Sequence, residues 1–124
     1  MRAYFLSDIH LKDPESKESL ALLRFLKSIN TKEEASDLFL MGDIFDLWLS
    51  NHDYFVKKWF PINRELVRLK MAGVKIHYFE GNHDLYLADY YRNQLGFTVY
   101  EGPQDIEWNG KKLWLCVHWT NGNM

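Results

Sequence analysis

The chain has 124 residues, a formal net charge of -2 and 16% aromatic side chains, which points to one domain with enough length to bury a hydrophobic core. That balance excludes a strong overall field toward nucleic acid or anionic lipid. A single cysteine, Cys116, excludes an internal disulfide framework and suits a reducing cytoplasm.

The opening "MRAYFLSDIH" has too short an apolar stretch for a signal peptide. No run approaches the roughly 20 apolar residues of a membrane helix. "RAYFLSD" (2–8) reads as a buried strand stopped by an acid. In 13–30, Leu22, Leu23, Leu26 and Ile29 recur at helical spacing, with Asp13-Pro14 as the start signal. "DLFLMGD" (37–43) is a second strand ending in Gly-Asp, followed by a loop over 44–52. Residues 53–72 are helical, with a break forced by Pro61 and an end at Gly73. "VKIHYFEGN" (74–82) is a third strand and "LADYYRNQLG" (87–96) a short helix. "FTVYEG" reads as a fourth strand. "DIEWNGKKLWLCVH" (105–118) is a hairpin around Asn109-Gly110, a pair suited to a type I′ turn. Alternation of strands and helices predicts parallel βαβ units, and the hairpin adds antiparallel pairing, so the fold class is α/β. Repeats and low-complexity segments are absent.

Chemistry-bearing residues gather at the predicted strand ends. The first strand runs into Asp8-x-His10, the second into Gly42-Asp43 with Asp46 beyond, the third into Gly81-Asn82-His83-Asp84, and the last into His118. Ligand sites of open α/β sheets lie beyond the carboxyl ends of their strands. Crowded carboxylates repel unless one is protonated, and cations remove that conflict. Oxygen and imidazole donors without thiolate suit Mn²⁺, Fe or Zn²⁺. Two ions about 3.5–4 Å apart clamp the attacking and leaving oxygens of a phosphoryl displacement. Singly, Asp8 and Asp43 also read as helix caps or turn formers.

The three blocks Asp8-x-His10, Gly42-Asp43-x-x-Asp46 and Gly81-Asn82-His83-Asp84, in this order, resemble the first signature blocks of the calcineurin-like metallophosphoesterases. The resemblance implies a β-sandwich flanked by helices and a centre of two divalent metals, Mn²⁺ foremost, with Fe or Zn as alternatives. It implies Asp8 and His10 as ligands of the first metal, Asp43 as the bridge, and Asn82 and His118 as ligands of the second. It makes His83 the catalytic group that protonates the leaving group or steadies the phosphate, and Asp84 the acid that orients His83. The aromatic-rich "LMGDIFDLWLS" (40–50) is similar to the branch of that family that hydrolyses UDP-2,3-diacylglucosamine in lipid A synthesis. The implied substrate is then a phosphoester, a nucleotide-linked lipid. The implied place is the cytoplasm, with peripheral contact at the inner membrane, and no nucleic acid is expected as a partner.

The third block has His83 where well-known members of that branch carry Arg. His118 is followed by Trp119 rather than Gly-Asp, and no Gly-His-x-His block occurs in the chain. Residues 1–118 therefore read as the N-terminal half of such a domain, incomplete at the C-terminus, and 119–124 as a tail that departs from the pattern. On that reading, the alternatives are a truncated metal-binding remnant without activity and a metallophosphoesterase for another phosphoester. A metal-free nucleotide-binding module fares poorly, because the chain lacks both Gly-x-Gly-x-x-Gly and a phosphate-binding Gly-Lys-Ser/Thr loop. His52 and His77 carry no motif and read as loop and strand residues satisfied locally. Asp46 reads as a support for a ligand or the loop, and Cys116 as a small core residue. The aromatics of 45–62 have two readings: core beneath the metal loops, or an apolar surface for acyl chains or bilayer rimmed by Lys57 and Lys58.

Overall fold

A computed structural model of the chain describes residues 2–7, 9–29, 31, 36–45, 53–80 and 87–116. Four strands form a parallel sheet: β1 (Arg2–Leu6), β2 (Ser36–Leu40), β3 (Lys75–Phe79) and β4 (Thr98–Tyr100), side by side in chain order. The crossovers carry α1 (Lys17–Ser28), α2 (Asp53–Lys58) with α3 (Phe60–Met71), and α4 (Leu87–Asp89), which runs into a π turn over Tyr90–Gln94. Crossovers of one hand that step one way along a sheet place their helices on one face. The side chains agree. Leu38, Leu40, Ile76, Tyr78 and Val99 share a buried core with Leu22 and Leu26 of α1, Ile62, Leu66 and Leu69 of α3, and Leu87 and Tyr91.

The opposite face carries a row of rings instead. Phe5 stacks on Phe39 at 4.8 Å, Phe39 on His77 at 4.3 Å, and Phe79 on Tyr100 at 4.6 Å. The antiparallel hairpin of β5 (Gln104–Trp108) and β6 (Lys111–Leu115) reaches this face. Its indole Nε1–H of Trp108 donates to Oδ1 of Asp37 at 3.2 Å.

Local sequence explains most element ends. The cap of α1 is Ser16, whose Oγ accepts the Ser19 N–H at 3.2 Å. Asp13-Pro14, expected as the start signal, forms the turn before it. The Asp13 carboxylate accepts the Glu15 N–H at 2.9 Å, and its carbonyl accepts the Ser16 N–H at 3.0 Å. The break near Pro61 falls at Trp59, with Pro61 in the first turn of α3, where its missing N–H costs nothing. The turn of the hairpin puts Asn109 at φ 51° and Gly110 at φ 75°, as a type I′ turn requires. A Cβ on Gly110 would meet nothing within 4 Å, so Gly110→Ala tests conformation alone. It is expected to cost about 1–2 kcal/mol in urea unfolding, while Gly102→Ala, also in open space and without a positive φ, is expected to stay within about 0.5 kcal/mol.

One core assignment is corrected. Alternation along β6 half-buries Leu113 and Leu115 and turns Trp114 and Cys116 outward, so Cys116 is exposed rather than in the core.

Candidate metal centre

The pairing of β1 with β2 runs from Arg2 opposite Ser36 to Leu6 opposite Leu40, with the Met41 N–H donating to the Leu6 carbonyl at 2.7 Å. Beyond a gap that holds Asp8, outside the described residues, backbone bonds join the two segments again. The His10 N–H donates to the Asp43 carbonyl at 3.0 Å and the Leu11 N–H to the Ile44 carbonyl at 2.8 Å, and Leu11 bridges Phe45 in parallel. Three residues flanking this gap lie in the left-handed region: His10 at φ 51°, Gly42 at φ 85° and Asp43 at φ 50°. Glycine adopts that region freely. For the other two it costs roughly 1–2 kcal/mol each, although His and Asp occupy it more readily than most residues. Strain of this kind clusters at active sites and ligand clamps, and persists where the surroundings over-determine it.

Those surroundings are apolar. Leu11, Ile44 and Phe45 are buried beneath the gap, and Phe45 packs against buried Trp59 with ring centroids 5.1 Å apart. Both loops are thereby held down on the helical core. Asp43 is only 7% exposed and His10 is half-buried. The structure thus joins the backbones of two of the expected ligand residues, His10 and Asp43, from loops far apart in sequence. Their donor types fit a divalent cation of the Mn²⁺, Fe²⁺ or Zn²⁺ kind. Among the described residues, no group of three or more His, Cys, Asp or Glu side chains is gathered for a metal. Asp8, Asp46, His52, Gly81, Asn82, His83, Asp84, His118 and the tail 119–124 lie outside the described residues.

Two expectations about this edge change. His118 follows β6, which pairs antiparallel with β5 and is not part of the parallel sheet. The parallel strand ends that lead to the motif blocks are therefore three, those of β1, β2 and β3, and not four. The aromatic segment divides between its two readings: Phe45, Trp59 and Ile62 are core, while Tyr54 and Phe60 are 58% and 53% exposed. The Lys58 ammonium lies over the Tyr54 and Trp59 rings, 5.7 and 5.5 Å from their centroids.

His77 is satisfied locally. Its Nε2 lies 2.7 Å from Oδ2 of Asp37 and its Nδ1 3.1 Å from the Tyr100 hydroxyl. Burial pushes its pKa below the ordinary 6.5 against the opposing pull of Asp37. The strained turns at His10 and Asp43 were beyond sequence reading, since they depend on the pairing of two distant loops. Gly42 immediately before Asp43 was the one local hint.

At its carboxyl edge the parallel sheet thus carries His10 and buried Asp43 on strained, mutually paired loops. The chain belongs to the calcineurin-like phosphoesterase family, which it matches over residues 1–119. It is 34% identical over 118 residues to a UDP-2,3-diacylglucosamine hydrolase of Porphyromonas gingivalis, covering 93% of this chain and 45% of that protein. To the enzyme of the same name in Neisseria meningitidis serogroup B it is 30% identical over 114 residues, covering 92% and 47%. The chain thus spans about half the length of these relatives. A crystal structure of a protein of unknown function from Aquifex aeolicus shares the fold, with a TM-score of 0.54 and 23% identity over 90% of this chain and 57% of that one.

Proposed function

We propose that the chain is part of a two-metal phosphoesterase that hydrolyses the diphosphate of a UDP-linked, acylated glucosamine. The observation that carries the phosphoesterase chemistry is the strained pair His10 and Asp43, which meet at the carboxyl edge inside two of the family's motif blocks. The substrate class rests on the similarity to hydrolases named for UDP-2,3-diacylglucosamine. In this reading Asp8 and His10 hold the first ion, Asn82 and His118 the second, and Asp43 both. When bound, two such ions supply Lewis acidity at both reacting oxygens and lower the pKa of a water. On the family pattern His83 delivers a proton to the departing oxygen, or steadies the phosphate charge. Asp84 acts through His83 as a positioning residue. Exposed Tyr54 and Phe60 near Lys57 and Lys58 support a peripheral contact with acylated substrate or the inner membrane surface. Among the described residues no helix is long and apolar enough to cross a membrane.

His83, in the place where well-known members of that branch carry Arg, favours a second reading: the same chemistry on another phosphoester. The test separates the two. With Mn²⁺ present, a purified form extended through the second half of the domain is expected to release UMP from UDP-2,3-diacylglucosamine, and residues 1–124 alone are expected to hydrolyse little or nothing. Hydrolysis of a chromogenic phosphodiester alone, with the lipid substrate untouched, would overturn the substrate and keep the class. Metal binding with no hydrolysis of either would leave the inactive remnant as the better description.

A further inference from the structure

A separate concavity of about 240 Å³ opens between α3 and the π turn. Phe60, Asn63, Arg64 and Val67 line it from α3, at the i, i+3, i+4, i+7 spacing of one helix face. Tyr90 and Leu95 line it from the other side. These two residues are joined by the hydrogen bond that closes the π turn, from the Leu95 N–H to the Tyr90 carbonyl at 3.2 Å. Single π turns are rare and sit disproportionately at functional sites. The cavity is larger than the roughly 150 Å³ apolar cavity known to admit benzene.

Its polar groups are few and unequal. Asn63 is 2% exposed. Its Oδ1 accepts the Tyr91 hydroxyl at 2.6 Å, while its Nδ2 is buried without a partner. Arg64, the next residue, is exposed and holds no carboxylate among the described residues. Phe60, half-exposed, extends the apolar wall to the rim.

We propose that this cavity binds a small apolar carboxylate, a single ring or short chain bearing one acid group. The apolar body lies among Phe60, Val67, Tyr90 and Leu95. Its oxygens pair with the Arg64 guanidinium at the rim. The cation selects an anion over a neutral compound of the same shape. None of the six lining residues belongs to the candidate metal centre, and Phe60 is shared only with the proposed peripheral contact, so the site stands or falls apart from the phosphoesterase chemistry.

The test is a titration of the isotope-labelled chain with phenylacetate and, in parallel, with the neutral 2-phenylethanol, followed by NMR. Phenylacetate is expected to give saturable shifts at the Asn63 side-chain amide and at the Val67 and Leu95 methyls. Arg64→Gln should weaken phenylacetate about tenfold or more and leave 2-phenylethanol unchanged. Val67→Trp should fill the cavity and abolish both. Should that variant misfold, the surface change Arg64→Gln decides alone. Shifts that stay linear to the solubility limit, shifts centred on other residues, or equal phenylacetate affinity in Arg64→Gln would overturn the site.

Discussion

Asp43→Ala is expected to be the most damaging single change to metal content and turnover. On the proposed reading Asp43 serves two ions, and a carboxylate so shared cannot be lost from one alone. Loss of a mere supporting partner of a metal ligand already costs 10–100-fold in affinity or activity, so a shared ligand sets at least about 100-fold. Alanine also meets a local difficulty, because Asp43 stands at φ 50° and its carbonyl holds the His10 N–H at 3.0 Å. Alanine tolerates that region less well than Asp or Asn, so part of any loss would come from the loop. Asp43→Asn separates the effects: it keeps the shape and the left-handed preference and removes the charge. Elemental analysis and phosphodiesterase assays on both variants, each in the extended form, should show metal and turnover falling together, with Asp43→Asn unfolding at nearly the wild-type urea concentration. Two metals per chain in either variant would show that Asp43 is not the shared ligand.

The parts of this architecture that could be read in advance are those set by short-range chemistry. The apolar runs of β1, β2 and β3, the helical spacing of Leu22 and Leu26, and the Asn109-Gly110 turn each follow from side-chain periodicity or a backbone requirement within a few residues. The motif blocks pointed to the family from residue type and order. Features set by distant partners were not readable. Whether Asp13 or Ser16 caps α1 depends on which oxygen reaches the Ser19 N–H. The π turn at Tyr90–Gln94 has the composition of an ordinary helix, and nothing local marks its extra residue. Cys116 looked like core because it alternates in an apolar strand, but only the sheet's placement shows which alternate face is covered. The left-handed His10 and Asp43 arise from loops that meet in space. Two of the expected site residues can be followed in the structure, while Asp8, Asn82, His83, Asp84 and His118 lie outside the described residues.

The second large effect is expected at His77, far from the metal edge in role. Its ring lies parallel to Phe39 at 4.3 Å and to Tyr100 at 6.0 Å, with 2% exposure. Neutral imidazole satisfies both neighbours at once: Nε2–H donates to Asp37, and Nδ1 accepts from the Tyr100 hydroxyl. Because Asp37 also accepts from Trp108, this group links the parallel sheet to the hairpin. Burial is the largest cause holding the His77 pKa below 6.5; Asp37 opposes it and Lys75 adds to it. A histidine with a lowered folded-state pKa binds fewer protons folded than unfolded. The unfolded state therefore gains protons first as pH falls, and stability drops between 6.5 and the lower folded value. Above 6.5 both states are neutral there and the contribution is complete. His77→Phe keeps a stacked ring and removes both hydrogen bonds, leaving the Asp37 and Tyr100 oxygens short of a partner. It is expected to cost about 1–3 kcal/mol near neutral pH and to flatten the loss of stability on acidification. His77→Ala also removes the ring between Phe39 and Tyr100, and should cost about 2–5 kcal/mol. Urea unfolding at pH 7.5 and pH 5 for the three proteins checks both points. An acid-side loss in His77→Phe as steep as in the wild type would assign that titration to another group and leave His77 with only its packing role.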